Sequence, residues 1–207
     1  GQIAVCAGIT TIQESFKSLF GFNDDFLTNG EQFDRLLKTH DRLPLGNSEI
    51  EVLETPGHTS DSCCYLIEDN IFIGDTLFHP TIGTARCDFP GGNAALLFNS
   101  IQTILSYPDS TNLYLCHDYP ESTRQHQAKV SVLEMRDNCH LKQCHNSLNE
   151  FIELRTCRDQ LLDLPKLIIP AIQVNIAAGI HINDKINTAN YLKWPLKEPR
   201  SQFPLHP

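Results

Sequence analysis

The sequence of 207 residues predicts a mixed α/β fold of the α+β kind, and three observations carry that prediction. Short apolar runs at 50–54, 63–67 and 113–116 end in polar or glycine-bearing turns, as strands do. Longer stretches at 10–20 and 93–107 place apolar residues three and four apart, as helices packed by one face do. With 41% hydrophobic and 20% charged residues, the chain can bury a substantial core, and it reads as one domain over 1–207.

Taken in order, Ile3 to Ala7 reads as a short buried strand, and 10–20 as an amphipathic helix with Ile12, Phe16, Leu19 and Phe20 on one side. A polar, aromatic-bearing loop fills 21–30. Alternating strands over 43–54 and 63–78, joined at Glu68-Asp69-Asn70, form a β-meander. Between Phe78 and Ala94 the run Pro80, Gly83, Pro90, Gly91, Gly92 reads as a long loop, a natural wall for a site. Asn93 can cap the helix that follows, whose apolar residues are Leu96, Leu97, Ile101, Ile104 and Leu105. After a strand at 113–116, polar helices are expected around 125–135 and 147–162, the second with a capping box of Ser147 and Glu150. The apolar stretch 167–176 has little periodicity and reads as a surface crossing, and the Pro-rich end 195–207 as a mobile tail.

Composition excludes several classes of function. A formal charge of −9 with 16 scattered Lys and Arg offers no basic stripe for a phosphate backbone, so no nucleic-acid partner is expected. No apolar run approaches the roughly 20 residues that span a bilayer, so no membrane partner is expected. Eight cysteines without a C-x-x-C pair, in a chain too large to need staples, read as reduced thiols of a cytoplasmic protein. Cys63 and Cys64 are adjacent on a strand, so at least one points inward. The run Cys139-His140 to Cys144-His145 lacks a second ligand pair at zinc-finger spacing and reads as a helix surface.

Three residues stand at strand ends: His58 after 50–54, Asp75 after 70–74 and His117 after 113–116. Neighbouring strands would bring two imidazoles and a carboxylate to one rim of a sheet. That donor set suits zinc or ferrous iron.

The segments around these residues, Thr55-Pro56-Gly57-His58-Thr59, the 73–78 run IGDTLF, the 83–92 run GTARCDFPGG and Cys116-His117-Asp118-Tyr119, resemble the metallo-β-lactamase fold superfamily. Within it the chain is most similar to persulfide dioxygenases and bacterial β-lactamase-hydrolase-like proteins, over nearly its whole length. The resemblance implies an αββα sandwich. It implies ferrous iron, one per complete chain, on His58, Asp75 and a histidine of the superfamily's His-x-His-x-Asp-His signature. That signature does not occur among the nine histidines here, so an N-terminally incomplete domain is expected, with the third ligand in residues outside this sequence.

The implied reaction is oxidation of glutathione persulfide to sulfite with O2. His117 would then stand behind the metal ligands or at a second metal position, and Tyr119 would offer its hydroxyl to substrate. Arg86 would hold a substrate carboxylate or pair with Asp88 or Asp75 to stiffen its loop, while Cys87 reads as a packing thiol. An alternative is a dinuclear zinc hydrolase of the hydroxyacylglutathione type, with Asp75 bridging and His117 on the second Zn(II). A second alternative is that this chain alone is an inactive fragment. A fused rhodanese-like domain and the oligomeric state, a homodimer among the options, stay open.

Overall fold

A computed structural model describes residues 1–120, 124–180 and 191–195. The architecture is four layers, helix–sheet–sheet–helix, and strand alternation builds it. A six-stranded sheet runs in the order β3 (Arg42–Leu45), β4 (Ser48–Glu54), β5 (Cys63–Ile67), β6 (Asn70–Phe72), β7 (Asn112–Tyr114), β8 (Lys129–Ser131). A two-stranded parallel sheet pairs β1 (Ala4–Cys6) with β2 (Arg35–Leu37). Successive side chains point to opposite faces, so Leu53 and Cys64 enter the main core while Val52, Cys63 and Tyr65 meet Cys6 and Leu37 between the sheets.

The main core sits between the large sheet and four helices: α2 (Ala94–Leu105), α3 (Val132–Met135), α4 (Cys139–Gln143) and α5 (Leu148–Asp159). Ile71, Leu113 and Val130 from the sheet meet Leu97, Ile101, Ile104, Leu141 and Phe151 there. On the far side, Val5 and Leu36 face a cluster built by α1 (Ile9–Phe20) and α6 (Ile168–Asn175), where Ile12, Phe16 and Phe20 meet Phe22, Phe26 and Ile176. Helix α2 begins as expected. Asn93 is extended and its side chain accepts from the Leu96 N–H at 3.0 Å, a cap of about 1 kcal/mol.

Three sequence expectations need correction. The segment 125–135 is not one helix: β8 occupies Lys129–Ser131, and only the single turn α3 follows. The outer edge of β7 needs a partner, and the Lys129-Val130-Ser131 triplet supplies one with Val130 turned to the core. Its Ser131 and Glu134 form the capping box of this region. Ser147 does begin α5, but its side chain makes no cap bond, and Glu150 instead accepts from His145 Nδ1 at 2.9 Å.

The 167–176 stretch is the helix α6 rather than a surface crossing. Pro170 is tolerated because it lies in the first turn, where backbone N–H groups have no intrahelical acceptor. Ile169, Ile172 and Ile176 share one face and pack against α1. The predicted mobile tail 195–207 lies outside the described residues except for Pro195. No described helix is long and apolar enough to cross a membrane.

Candidate metal centre

Topology brings His58, Asp75 and His117 to one rim. Strands β4, β5 and β6 are successively antiparallel, so β4 and β6 run the same way. The connection through α2 makes β7 parallel to β6, so all three strands end on the same side. His58 follows β4, Asp75 follows β6 and His117 follows β7.

His58 Nε2 lies 3.9 Å from Asp75 Oδ2, and His117 Nε2 lies 3.5 Å from Asp75 Oδ1. Asp75 Oδ1 is buried and has no hydrogen-bond partner. A carboxylate oxygen left unpaired away from water costs a few kcal/mol unless a cation meets it. This orphan oxygen facing His117, on a carboxylate whose other oxygen faces His58, fits a metal ion. Cys116 adds a third kind of donor, since its sulfur and the Asp75 and His117 donor atoms lie within 4.8 Å of one another. It is the only such group of three among the described residues.

The turn carrying His58 is held from behind. Gly57 has φ +143°, and a Cβ there would stand 2.3 Å from the Leu97 backbone, so only glycine lets the turn rest on α2. The Gly57 carbonyl accepts from the Asn93 N–H at 2.8 Å, and the Pro56 carbonyl accepts from the Ser100 hydroxyl at 2.8 Å. His58 Nδ1 is 2.8 Å from the Arg86 carbonyl oxygen and donates to it. That bond leaves the Nε2 lone pair facing Asp75, which is how a backbone acceptor selects the ligating nitrogen.

Arg86 therefore serves the site through its backbone. Its guanidinium is bound to Asp88 by two bonds of 2.6 Å, donates to the Asp163 carbonyl at 2.8 Å and stacks on Phe89. Of the two roles open to it in the sequence, the structure shows the loop-stiffening pair with Asp88, which holds that carboxyl below its usual range. Asp88 does not line the cavity that contains His58, Asp75 and His117. Cys87 packs against the main core, and burial pushes its thiol up to about 12. Tyr119 is 60% exposed and stacks on His117 at 5.8 Å. The same loop is anchored by Asp118, whose carboxylate takes Arg124 in two bonds of 2.8 and 2.5 Å and the Gln127 N–H at 2.8 Å. Arg124 thereby holds the Asp118 carboxyl far below its ordinary value.

Sequence reasoning missed a buried polar strut behind this site. Arg155 and Asp159, on α5, are 3% and 6% exposed and form an ion pair. Arg155 also donates to the Thr84 carbonyl at 3.2 Å, while Asp159 accepts from the Cys87 N–H at 2.8 Å. His140, read from sequence as helix surface, is buried beside them and accepts the Thr84 N–H on Nδ1 at 2.9 Å. Burial first, then Arg158 and Arg155, bring its pKa down to about 4, so it is neutral. Gly83 permits this contact, since a Cβ there would strike the His140 ring at 2.3 Å. The only local signal was an Arg and an Asp four apart on a predicted helix.

No family model matches the chain. It is 42% identical over 207 residues to a probable metallo-hydrolase of Burkholderia pseudomallei (strain 1710b), covering 95% of this chain and 70% of that protein. The crystal structure of ETHE1 from Myxococcus xanthus matches with a TM-score of 0.63 and 33% identity, over 72% of this chain and 62% of that one. A metallo-β-lactamase from Staphylococcus aureus shares the fold at a TM-score of 0.58 and 20% identity, over 72% of this chain and 46% of that one.

Proposed function

The chain belongs to the metallo-β-lactamase-fold family of metallo-hydrolases, and from that premise we propose that it forms the catalytic part of a persulfide dioxygenase. The reaction is oxidation of the terminal sulfur of glutathione persulfide by O2, which supplies two oxygens, followed by hydrolysis of the S–S bond by water, which supplies the third and releases sulfite and glutathione. One observation carries the reading. The GTARCDF loop, which bears much of the resemblance to persulfide dioxygenases, is bonded to the candidate ligand through the Arg86 carbonyl and His58 Nδ1, 2.8 Å apart. The likeness to ETHE1 supports it.

His58 and Asp75 would hold ferrous iron, which supplies open positions where a sulfur and O2 can meet. His58 is kept in the ligating tautomer by Arg86 and is braced edge-on by Phe89 at 5.4 Å. Asp75 presents one oxygen toward each imidazole. His117 stands farther out, 49% exposed at its side chain, with Phe78 and Tyr119 beside it. Phe78, Ile82, Phe89, Leu161 and Leu162 line the cavity and give the sulfur an apolar wall.

A dinuclear zinc hydrolase is the second reading, favoured by His117 Nε2 at 3.5 Å from Asp75 Oδ1, as a carboxylate shared between two metals requires. Metal content separates the two. About one iron per complete chain with O2 uptake on glutathione persulfide is expected; two zincs with thioester cleavage and no O2 uptake would overturn the proposal. Alanine variants sharpen the test. His58→Ala and Asp75→Ala should each lose the metal, while His117→Ala should keep most of it, and equal loss in all three supports the dinuclear site.

A further inference from the structure

The cavity of about 650 Å³ that contains His58, Asp75 and His117 is also lined by three arginines, Arg86, Arg155 and Arg158. Their states differ. Arg86 is neutralised by Asp88, with its remaining donor on a carbonyl. Arg155 is paired with Asp159, yet its Nε is buried without an acceptor. Among the described residues the Arg158 guanidinium has no ion pair and no hydrogen bond, and Asp75 is the one carboxylate that lines the cavity. A free cation beside a buried, unsatisfied guanidinium N–H is an unusual feature in a chain of net charge −9. Arg158 is exposed at the cavity mouth with its donors unused, and Arg155 behind it is buried, a pairing of guanidinium groups that suits a planar anion.

We propose that Arg158, on the last turn of α5 with Arg155 one turn before it, is the specificity-determining residue that binds a carboxylate of the substrate. The substrate class is then a thiol derivative with a free carboxylate, bound with its sulfur toward His58 and Asp75 and its acid group toward α5. The inference rests on the reading that this cavity is the active site. Cavity size agrees, since small-molecule sites span roughly 300–1,000 Å³. The rigid strut beneath also agrees: Arg155, Asp159 and neutral His140 fix α5 against the 83–87 loop, so Arg158 keeps a set distance from His58. A competing role for Arg158 is a solvated cation that complements the helix C-terminus. The two roles differ in what their loss changes.

The test is calorimetric titration of the metal-loaded protein with S-methylglutathione and with its diethyl ester, which lacks the carboxylates but keeps the rest. Wild type should bind the free acid at least tenfold more tightly than the ester. Arg158→Gln should weaken the free acid by about 10- to 100-fold, the range of a charge-assisted hydrogen bond, and leave the ester within about threefold. Arg158→Lys should recover part of the loss, and metal content and Tm should match wild type. Equal free-acid affinity in wild type and Arg158→Gln overturns the proposal. So does equal loss for acid and ester, a lower Tm without change in affinity, or no binding of the free acid by wild type. Because binding needs no turnover, Arg158-dependent affinity without O2 uptake upholds this inference while refuting the dioxygenase. Turnover of persulfide indifferent to Arg158 does the reverse.

Discussion

Replacing Asp159 with Asn tests whether the Arg155–Asp159 pair is the strut of this site. Arg155 is 3% exposed and Asp159 6% exposed, so the change leaves a buried guanidinium without its counter-charge. Breaking a buried pair from one side costs about 3–5 kcal/mol, and because Asn keeps an acceptor the lower end, about 3 kcal/mol, is expected. For a chain of 207 residues each kcal/mol moves Tm by about 2–4 °C, so the midpoint should fall by about 6–12 °C. The damage should reach the metal. Asp159 holds the Cys87 N–H and Arg155 the Thr84 carbonyl, on either side of the Arg86 carbonyl that orients His58. A chelator competition should show metal affinity reduced about 10- to 100-fold, as for other groups that orient a ligand. The double variant Arg155→Met/Asp159→Leu removes both charges and should lie within about 2 kcal/mol of wild type by thermal unfolding. A Tm shift under about 2 °C for Asp159→Asn, or a double variant less stable than the single one, would refute the reasoning.

Two further outcomes follow from the same geometry. Gly57→Ala should displace the His58 turn, since its Cβ would meet the Leu97 backbone at 2.3 Å in a φ +143° conformation; metal stoichiometry by elemental analysis should fall to a minor fraction. His140 has a folded pKa of about 4 against an ordinary 6.5, so between these values the unfolded chain binds more protons and stability declines as pH falls. Urea unfolding from pH 7 to 4 should lose roughly 3 kcal/mol at most from this residue, and His140→Gln should flatten that limb. Asp118 also loses its stabilising charge in acid, but below that window, because Arg124 holds its carboxyl under the ordinary value of 3.8.

The convergence of the candidate ligands His58, Asp75 and His117 was legible because each closes a strand whose apolar run is local, and the meander that makes β4 and β6 point the same way follows from chain order. Helix α2 was legible down to its cap, since Asn93 and Leu96 are three residues apart. Ser147 with Glu150 offered the same kind of local signal and misled, because His145 takes the carboxylate that a capping box needs. Helix α6 was obscured by being apolar on most sides, so its period showed only when Ile169, Ile172 and Ile176 met α1.

What the sequence by itself determined is the mixed α/β class and the strand-end positions of His58, Asp75 and His117, which rest on side-chain alternation and hydrogen bonds between near neighbours; the αββα sandwich and the family came through resemblance. Tertiary structure alone decided that Arg86 acts through its carbonyl, that His140 is buried and neutral, and that Arg155 and Asp159 brace the ligand loop from 71 and 72 residues away. The physical reason is desolvation: a polar side chain's charge, tautomer and role depend on which distant groups exclude water from it, and that is set only when the layers close.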